Sequence, residues 1–237
     1  MNKKKIKEIV LKKNKSKIVC LTAYSKNIAK ILDSYCDIIL VGDSMANVLY
    51  GSQNTHKITL ENIIQHTISV KKGIKNSLLV TDMPKNTYNN VKTALKNARL
   101  IKKKTKCDAV KLESNSRNFN IISELVRKKI AVMGHIGYTP QFKKKFKIEG
   151  KNKFEINKLI REAKLIEKAG AFSIVLECLT PKASKLITSK INIPTIGIGS
   201  SSYCDGQILV TDDMLGMSGF YPKFVKKFIN LNRLIEK

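Results

Sequence analysis

No apolar run in this chain approaches the roughly 20 residues that a membrane-spanning helix requires. The opening "MNKKKIKEIVLKKNKSKI" scatters lysines through its only apolar stretch, so it does not read as a secretory signal. The expected location is the cytoplasm, with no membrane partner. Cys20, Cys36, Cys107, Cys178 and Cys204 are odd in number and far apart, with no CxxC pair, which argues against a disulfide framework and against a zinc site. Three of them lie in or beside apolar runs, where cysteine behaves as a small hydrophobe. Acidic residues are scarce, 18 against 45 lysines and arginines, for a formal net charge of +27. That balance alone suggests an anionic partner. The lysines are nevertheless spread along the whole chain, and no aromatic residues interleave with them as a base-stacking platform requires. Lysine, asparagine and isoleucine are abundant together, as in compositional drift, and nucleic-acid binding is not expected.

At 237 residues and 43% hydrophobic content the chain is read as one domain over residues 1–237, with a short basic N-terminal segment and a C-terminal helix within "FYPKFVKKFINLNRLIEK". Eight short runs rich in Val, Ile and Leu recur: "KIVCLTAY" (17–24), "DIILVGDS" (37–44), "SLLVTDMP" (77–84), "DAVKLES" (108–114), "IAVMGHIG" (130–137), "FSIVLEC" (172–178), "IPTIGIGS" (193–200) and "GQILV" (206–210). Such runs read as strands buried on both faces. Amphipathic stretches lie between several of them, as in "TLENIIQHTISVKKG", "NNVKTALKNARLIKK" and "NKLIREAKLIEKAG". Eight strand-then-helix units fit a (β/α)8 TIM barrel, with a doubly wound open sheet as the rival.

In such a barrel the functional side chains stand at the C-terminal ends of the strands. The second run ends in Asp43 and Ser44, the third in Asp82, the fourth in Lys111 and Glu113, the fifth in His135 and the sixth in Glu177. Lys111 and Glu113, two apart, share one face of their strand. Asp43, Asp82 and Glu113 arrive from three neighbouring strands as a hard oxygen-donor set suited to Mg²⁺. Each alone is equally an N-cap or surface acid after a strand. Glu177 sits at the mouth, partly desolvated, as a base or as the salt-bridge partner of a lysine. Lys111 reads as an anion-binding cation or as the structural partner of Glu113, and His135 as a donor to an anionic substrate or a satisfied polar residue. The glycines of "IGIGSSSYCDG" are a weak phosphate cradle and more simply a tight turn. His56 and His66 carry no assigned role.

These residues also carry a resemblance. "LTAY", "ILVGDS", "TLENIIQHT", "TDMP", "VKLE", "VMGHIGYTPQ", "AGAFSIVLEC", "IPTIGIG", "CDGQILV" and "DMLGM", in this order over about residues 17–217, resemble the ketopantoate hydroxymethyltransferase family. The resemblance implies a barrel of the phosphoenolpyruvate/pyruvate-binding superfamily assembled as a homodecamer. It implies transfer of a one-carbon unit from 5,10-methylenetetrahydrofolate to 3-methyl-2-oxobutanoate, giving 2-dehydropantoate on the route to pantothenate and coenzyme A. By motif, Asp43 and Asp82 would hold one Mg²⁺ per subunit, which chelates the substrate, with Glu113 in its inner or outer shell. Ser44, Lys111 and His135 would bind the substrate's anionic end, and Glu177 would remove its C3 proton. The alternatives are a C–C lyase of the same superfamily acting on a related 2-oxo acid, and a binding or assembly protein that has lost catalysis. The chain departs from the family pattern at Met45, Ala46, Asn47 and Val48, at Lys85, at Ser114 and Asn115, and in the lysine-rich "FKKKFKIEGK" (142–151), positions expected to line the mouth or a lid.

Overall fold

The computed structural model describes residues 3–114, 118–143, 145–219 and 221–237. Eight parallel strands, β1 (Ile18–Thr22), β2 (Ile38–Val41), β3 (Leu78–Asp82), β4 (Ala109–Lys111), β5 (Ala131–Gly137), β6 (Ser173–Glu177), β7 (Thr195–Ile198) and β8 (Gly206–Leu209), close into one barrel in sequence order. All eight fall inside the apolar runs, and the open-sheet rival is excluded by the pairing of β8 with β1. Alternation sorts each strand. Ile38, Leu78, Val80, Met133 and Ile196 point inward into one cluster, while Ile39, Leu79, Val110, Val132 and Ile174 pack outward against the helices.

The helix Leu60–Lys71 shows why the amphipathic stretches fold as they do. Thr59 caps it through a reciprocal capping box with Asn62, worth about 0.5–2 kcal/mol. It then buries Ile63, Ile64, Thr67 and Val70 against the barrel wall. The helices Val91–Thr105 and Lys153–Lys168 are capped by Asn90 and Asn152, whose side chains accept from Thr93 N and Glu155 N.

Two features differ from the sequence reading, and the turn expected after β7 is present. The basic N-terminal segment forms a helix, Lys3–Leu11, whose Ile9 joins the interior cluster beside Ile18, Ile38 and Leu78, so it stops the N-terminal end of the barrel. Its lysines and those just after it grip the strand starts: Lys5 Nζ donates to Ser77 O at 2.9 Å, Lys12 Nζ lies 2.5 Å from Asp37 Oδ1, and Lys13 Nζ lies 2.9 Å from Asp205 Oδ2. No helix intervenes between β7 and β8. At the C-terminus the expected helix shortens to Leu231–Ile235, which buries none of its residues.

Candidate active site

The inward side chains at the C-terminal rim converge because parallel register aligns strand ends. Asp82 pairs with Lys111 across β3 and β4, and Gly137 with Glu177 across β5 and β6. Lys111 Nζ lies 2.6 Å from Asp82 Oδ1. The lysine's partner is thus Asp82, rather than the Glu113 proposed from spacing, because neighbouring strands in register bring side chains closer than two positions along one strand do. Asp82 Oδ2 accepts the Asp43 N–H at 3.0 Å. Gly42 makes that approach possible, since a Cβ there would stand 2.9 Å from Ser44 Oγ and 3.4 Å from Asp82 Oδ2. Two of the four apolar side chains of "IILV", Ile39 and Val41, pack outward and two, Ile38 and Leu40, pack inward. The acid that ends this buried run therefore belongs to the barrel mouth.

Glu113 continues the inward face of β4 and is buried, with Oε2 accepting the Gln141 N–H at 3.0 Å. His135 Nδ1 lies 3.9 Å from Glu113 Oε1, and its Nε2 lies 3.2 Å from Glu177 Oε2. The latter contact is close but not directed along an N–H, so neither ring nitrogen has a hydrogen bond among the described residues. A buried histidine whose one close partner is the Glu177 carboxylate, with no well-directed bond at either nitrogen, has donor capacity left for a ligand. Glu177 is the most accessible acid of the group, its side chain 18% exposed against 2% for Asp82 and 1% for Glu113. Cys178, directly after it, turns the chain through φ 54°. Ser44 Oγ is 2.8 Å from the Tyr24 hydroxyl, which burial keeps protonated, opposed by its hydrogen bond to Ser44.

These groups line a cavity of about 680 Å³, together with Asn47, Val48, His56, Tyr138 and Lys143. Its charge is lopsided, with Asp43, Asp82, Glu113, Glu177 and Asp213 set against Lys111 and Lys143. Burial first, and the neighbouring Asp82 second, push Asp43 up to about 7, with Lys111 pulling the other way. Glu113 is raised by burial and then by Asp43. Burial would lower the Lys111 ammonium, but Asp82, Asp43 and Glu113 reverse that and hold it charged. Burial lowers His135, which enters as a neutral ring.

Among the described residues no three acidic, histidine or cysteine side chains are already drawn to one point as a cage. Instead Asp82 leans on Lys111, and Asp43 Oδ2 accepts from Gln141 Nε2 at 2.8 Å. Two carboxylates with further oxygens from substrate and water suit a hard divalent ion such as Mg²⁺, which seldom sits in an all-protein cage. Two neighbouring carboxylates at this rim, Asp43 and Asp82, fit such a cation, and Asp82 is the second cause, after burial, of the upward displacement of Asp43.

The positions that depart from the family pattern sort differently from the expectation. Met45 and Ala46 are fully buried in the core, and only Asn47 and Val48 of that stretch reach the cavity. Lys85 does not line the cavity but places Nζ 3.2 Å from Nδ1 of His56, whose Nε2 is 2.8 Å from Pro140 O. Ser114 is buried, and Asn115 and Lys144 lie outside the described residues. The turn 199–205 packs close to the C-terminal segment, since a Cβ at Gly199 would meet Phe224 at 2.6 Å. Gln141 and Tyr88, which knit the acids together, were not singled out from sequence. They lie in connections, where no periodicity marks them.

A family model described as ketopantoate hydroxymethyltransferase matches residues 3–237. The chain is 52% identical over 232 residues to 3-methyl-2-oxobutanoate hydroxymethyltransferase of Pelagibacter ubique (strain HTCC1062), covering 98% of this chain and 90% of that one. It is 45% identical over 234 residues to the enzyme of the same name from Anaplasma marginale (strain St. Maries), covering 98% and 84%. With the one from Clostridioides difficile (strain 630) it shares 48% over 227 residues, covering 93% and 82%. Among solved structures it is similar to 2,3-dimethylmalate lyase, a PEP mutase/isocitrate lyase superfamily member, at TM-score 0.67 and 12% identity over 98% of this chain and 84% of that one. It is also similar to a phosphonopyruvate hydrolase complex with oxalate and Mg²⁺, at TM-score 0.66 and 9% identity over 87% and 80%. At such identities the two structures share the fold.

Proposed function

The chain belongs to the ketopantoate hydroxymethyltransferase family, and we propose that it carries out the family's transfer with Asp43 and Asp82 holding a divalent cation and Glu177 acting as the base on 3-methyl-2-oxobutanoate. One observation carries this assignment of roles. In the closed order β6 stands four strands from β2, so Glu177 approaches from the wall opposite Asp43, with the cavity between them. A small 2-oxo acid held there has its oxygens drawn to the Lys111 side and its C3 proton turned towards Glu177.

The cation, Mg²⁺ in this reading, supplies the Lewis acidity that makes a proton next to a keto group removable. Asp43 and Asp82 would hold it, with Glu113 alongside. Lys111, kept charged by its acidic neighbours, binds the substrate carboxylate. Ser44 Oγ shares a hydrogen bond with the Tyr24 hydroxyl that either can donate, and with Tyr24 as donor the serine proton serves the same carboxylate. His135, neutral and with Glu177 as its one close partner at 3.2 Å, donates to a substrate oxygen without adding repulsion against Lys111. Glu177 Oε2 takes the C3 proton. C3 then attacks the methylene carbon of 5,10-methylenetetrahydrofolate at the mouth lined by Asn47, Val48, His56 and Lys143. Water supplies the hydroxyl, tetrahydrofolate leaves, and the product is 2-dehydropantoate. The subunits assemble as a homodecamer in this reading, and the mass in solution by sedimentation tests that part.

Incubating the purified protein with 3-methyl-2-oxobutanoate, Mg²⁺ and 5,10-methylenetetrahydrofolate should yield 2-dehydropantoate, and Asp82→Asn should not. Equal product from both proteins, or product formed without the folate, contradicts the assignment.

A further inference from the structure

We infer that Tyr88 and Gln141 form a positioning relay that aims the carboxylate of Asp43 at its cation, an inference that rests on the cation site proposed above. Tyr88 comes from the connection after β3 and Gln141 from the connection after β5, and both are buried, at 3% and 1% exposure. Their surroundings fix the orientation of the Gln141 amide. Nε2 faces two acceptors, Asp43 Oδ2 at 2.8 Å and Met83 O at 3.1 Å, while Oε1 faces the Tyr88 hydroxyl at 2.5 Å. Turned over, the amide would set its oxygen against a carboxylate and a carbonyl at once. Nε2 therefore donates twice, and Oε1 accepts the phenol proton. The backbone N–H of the same residue donates to Glu113 Oε2 at 3.0 Å. A single residue thus ties together the acids that follow β2 and β4.

The consequence lies in which oxygen of Asp43 remains available. With Oδ2 committed to Gln141, Oδ1 is the oxygen offered to a cation. Tyr88 touches neither carboxylate, and its hydroxyl also accepts from the Glu113 backbone N–H. It acts through Gln141, anchoring the amide and strengthening Nε2 as a donor, as hydrogen bonds in a chain polarise one another. Its ring is itself set edge-on against Phe142, with centroids 6.2 Å apart. Hydrogen-bond partners behind a metal ligand typically account for about 10–100-fold in metal affinity.

Mn²⁺ provides the test, because electron paramagnetic resonance of the free ion reads binding directly, without turnover. Wild type, Tyr88→Phe, Gln141→Leu and Asp82→Asn are titrated, with a thermal unfolding curve for each. The relay predicts that Tyr88→Phe binds Mn²⁺ about 10-fold more weakly and Gln141→Leu, which removes the donor and adds no charge, about 100-fold more weakly. The half-saturating Mn²⁺ concentration for C3 proton exchange should rise by the same factors, a correspondence that loss of folded protein does not produce. If Gln141→Leu fails to fold, Tyr88→Phe, which removes one oxygen and keeps the ring, carries the test. Wild-type affinity in Tyr88→Phe, with binding lost in Asp82→Asn, overturns the relay and leaves the cation site standing. No Mn²⁺ binding by wild type, or binding indifferent to Asp82→Asn, overturns the site and the relay with it.

Discussion

Asp82 Oδ1 lies 2.6 Å from Lys111 Nζ because the parallel register of β3 and β4 sets these residues side by side at the rim. Both are buried, so neither charge is stabilised by water, and the pair is the electrostatic centre around which Asp43 and Glu113 are arranged. Removing one partner of a buried pair costs about 3–5 kcal/mol, since it strands the other charge. Lys111→Met should therefore lower the urea midpoint at pH 8 by that equivalent. Part of the loss should return at pH 5.5, where Asp43 and Glu113 can take up protons. An unchanged midpoint at pH 8 contradicts this account of the site's charge balance.

The displaced acids also predict how pH and cation act together. Asp43 is raised to about 7 and Glu113 is raised too, by burial and then by neighbouring charge. In the unfolded chain such groups titrate near about 4. Between about pH 4 and 7 the folded state thus binds more protons than the unfolded one, and their contribution to stability falls as pH rises through that window. His135 has the opposite sign, its lowered pKa contributing stability that is lost as pH falls below the unfolded value of about 6.5. A divalent cation favours the ionised acids. The rise in Tm on adding Mg²⁺ should therefore grow from pH 5 to pH 8, by about 2–4 °C for each kcal/mol recovered. A Mg²⁺ effect that is flat or shrinks with pH contradicts it.

Gly42 tests the close approach beneath Asp43. An added Cβ would stand 2.9 Å from Ser44 Oγ and 3.4 Å from Asp82 Oδ2. Gly42→Ala should cost about 1–3 kcal/mol by crowding. It should also weaken Mn²⁺ binding, because the Asp43 N–H to Asp82 bond lengthens. Wild-type stability with wild-type Mn²⁺ affinity would show that the backbone is not held there.

Lys85 links two connections at the mouth, through His56 to Pro140. Lys85→Phe removes a contact worth about 0.5–1.5 kcal/mol, and KM for the folate should rise by roughly 2–10-fold. Exchange of the C3 proton without folate should proceed at the wild-type rate. Equal effects on both measurements would place Lys85 with the chemistry instead of the mouth.

Much of the scaffold was legible before any coordinates, because a strand buried on both faces leaves an uninterrupted run of Val, Ile and Leu. In a parallel barrel the next polar residue then falls at the functional rim. Asp43, Asp82, Lys111, Glu113, His135 and Glu177 all follow that logic and all line the cavity. Pairing across strands was not legible. Spacing along β4 suggested Glu113 as the partner of Lys111, whereas register supplied Asp82. Gln141 and Tyr88 sit in connections, and nothing in their local sequence tells which acid they reach. The helix Lys3–Leu11 was obscured by its lysines: Lys5 clamps a strand start, as Lys12 and Lys13 do just after the helix, while Lys3, Lys4 and Lys7 stay exposed. Among its described residues the C-terminal stretch is helical only at Leu231–Ile235.

The central claim is that Glu177 removes the C3 proton from a substrate held by the cation-bearing wall opposite. Proton exchange at C3 of 3-methyl-2-oxobutanoate in deuterated water, followed by NMR with Mg²⁺ present and folate absent, measures that step alone. Wild type should exchange the proton, omission of Mg²⁺ should stop it, and Glu177→Gln should slow it by about 10²–10⁴-fold while still binding the substrate. Exchange by Glu177→Gln at the wild-type rate would contradict the assignment of the base.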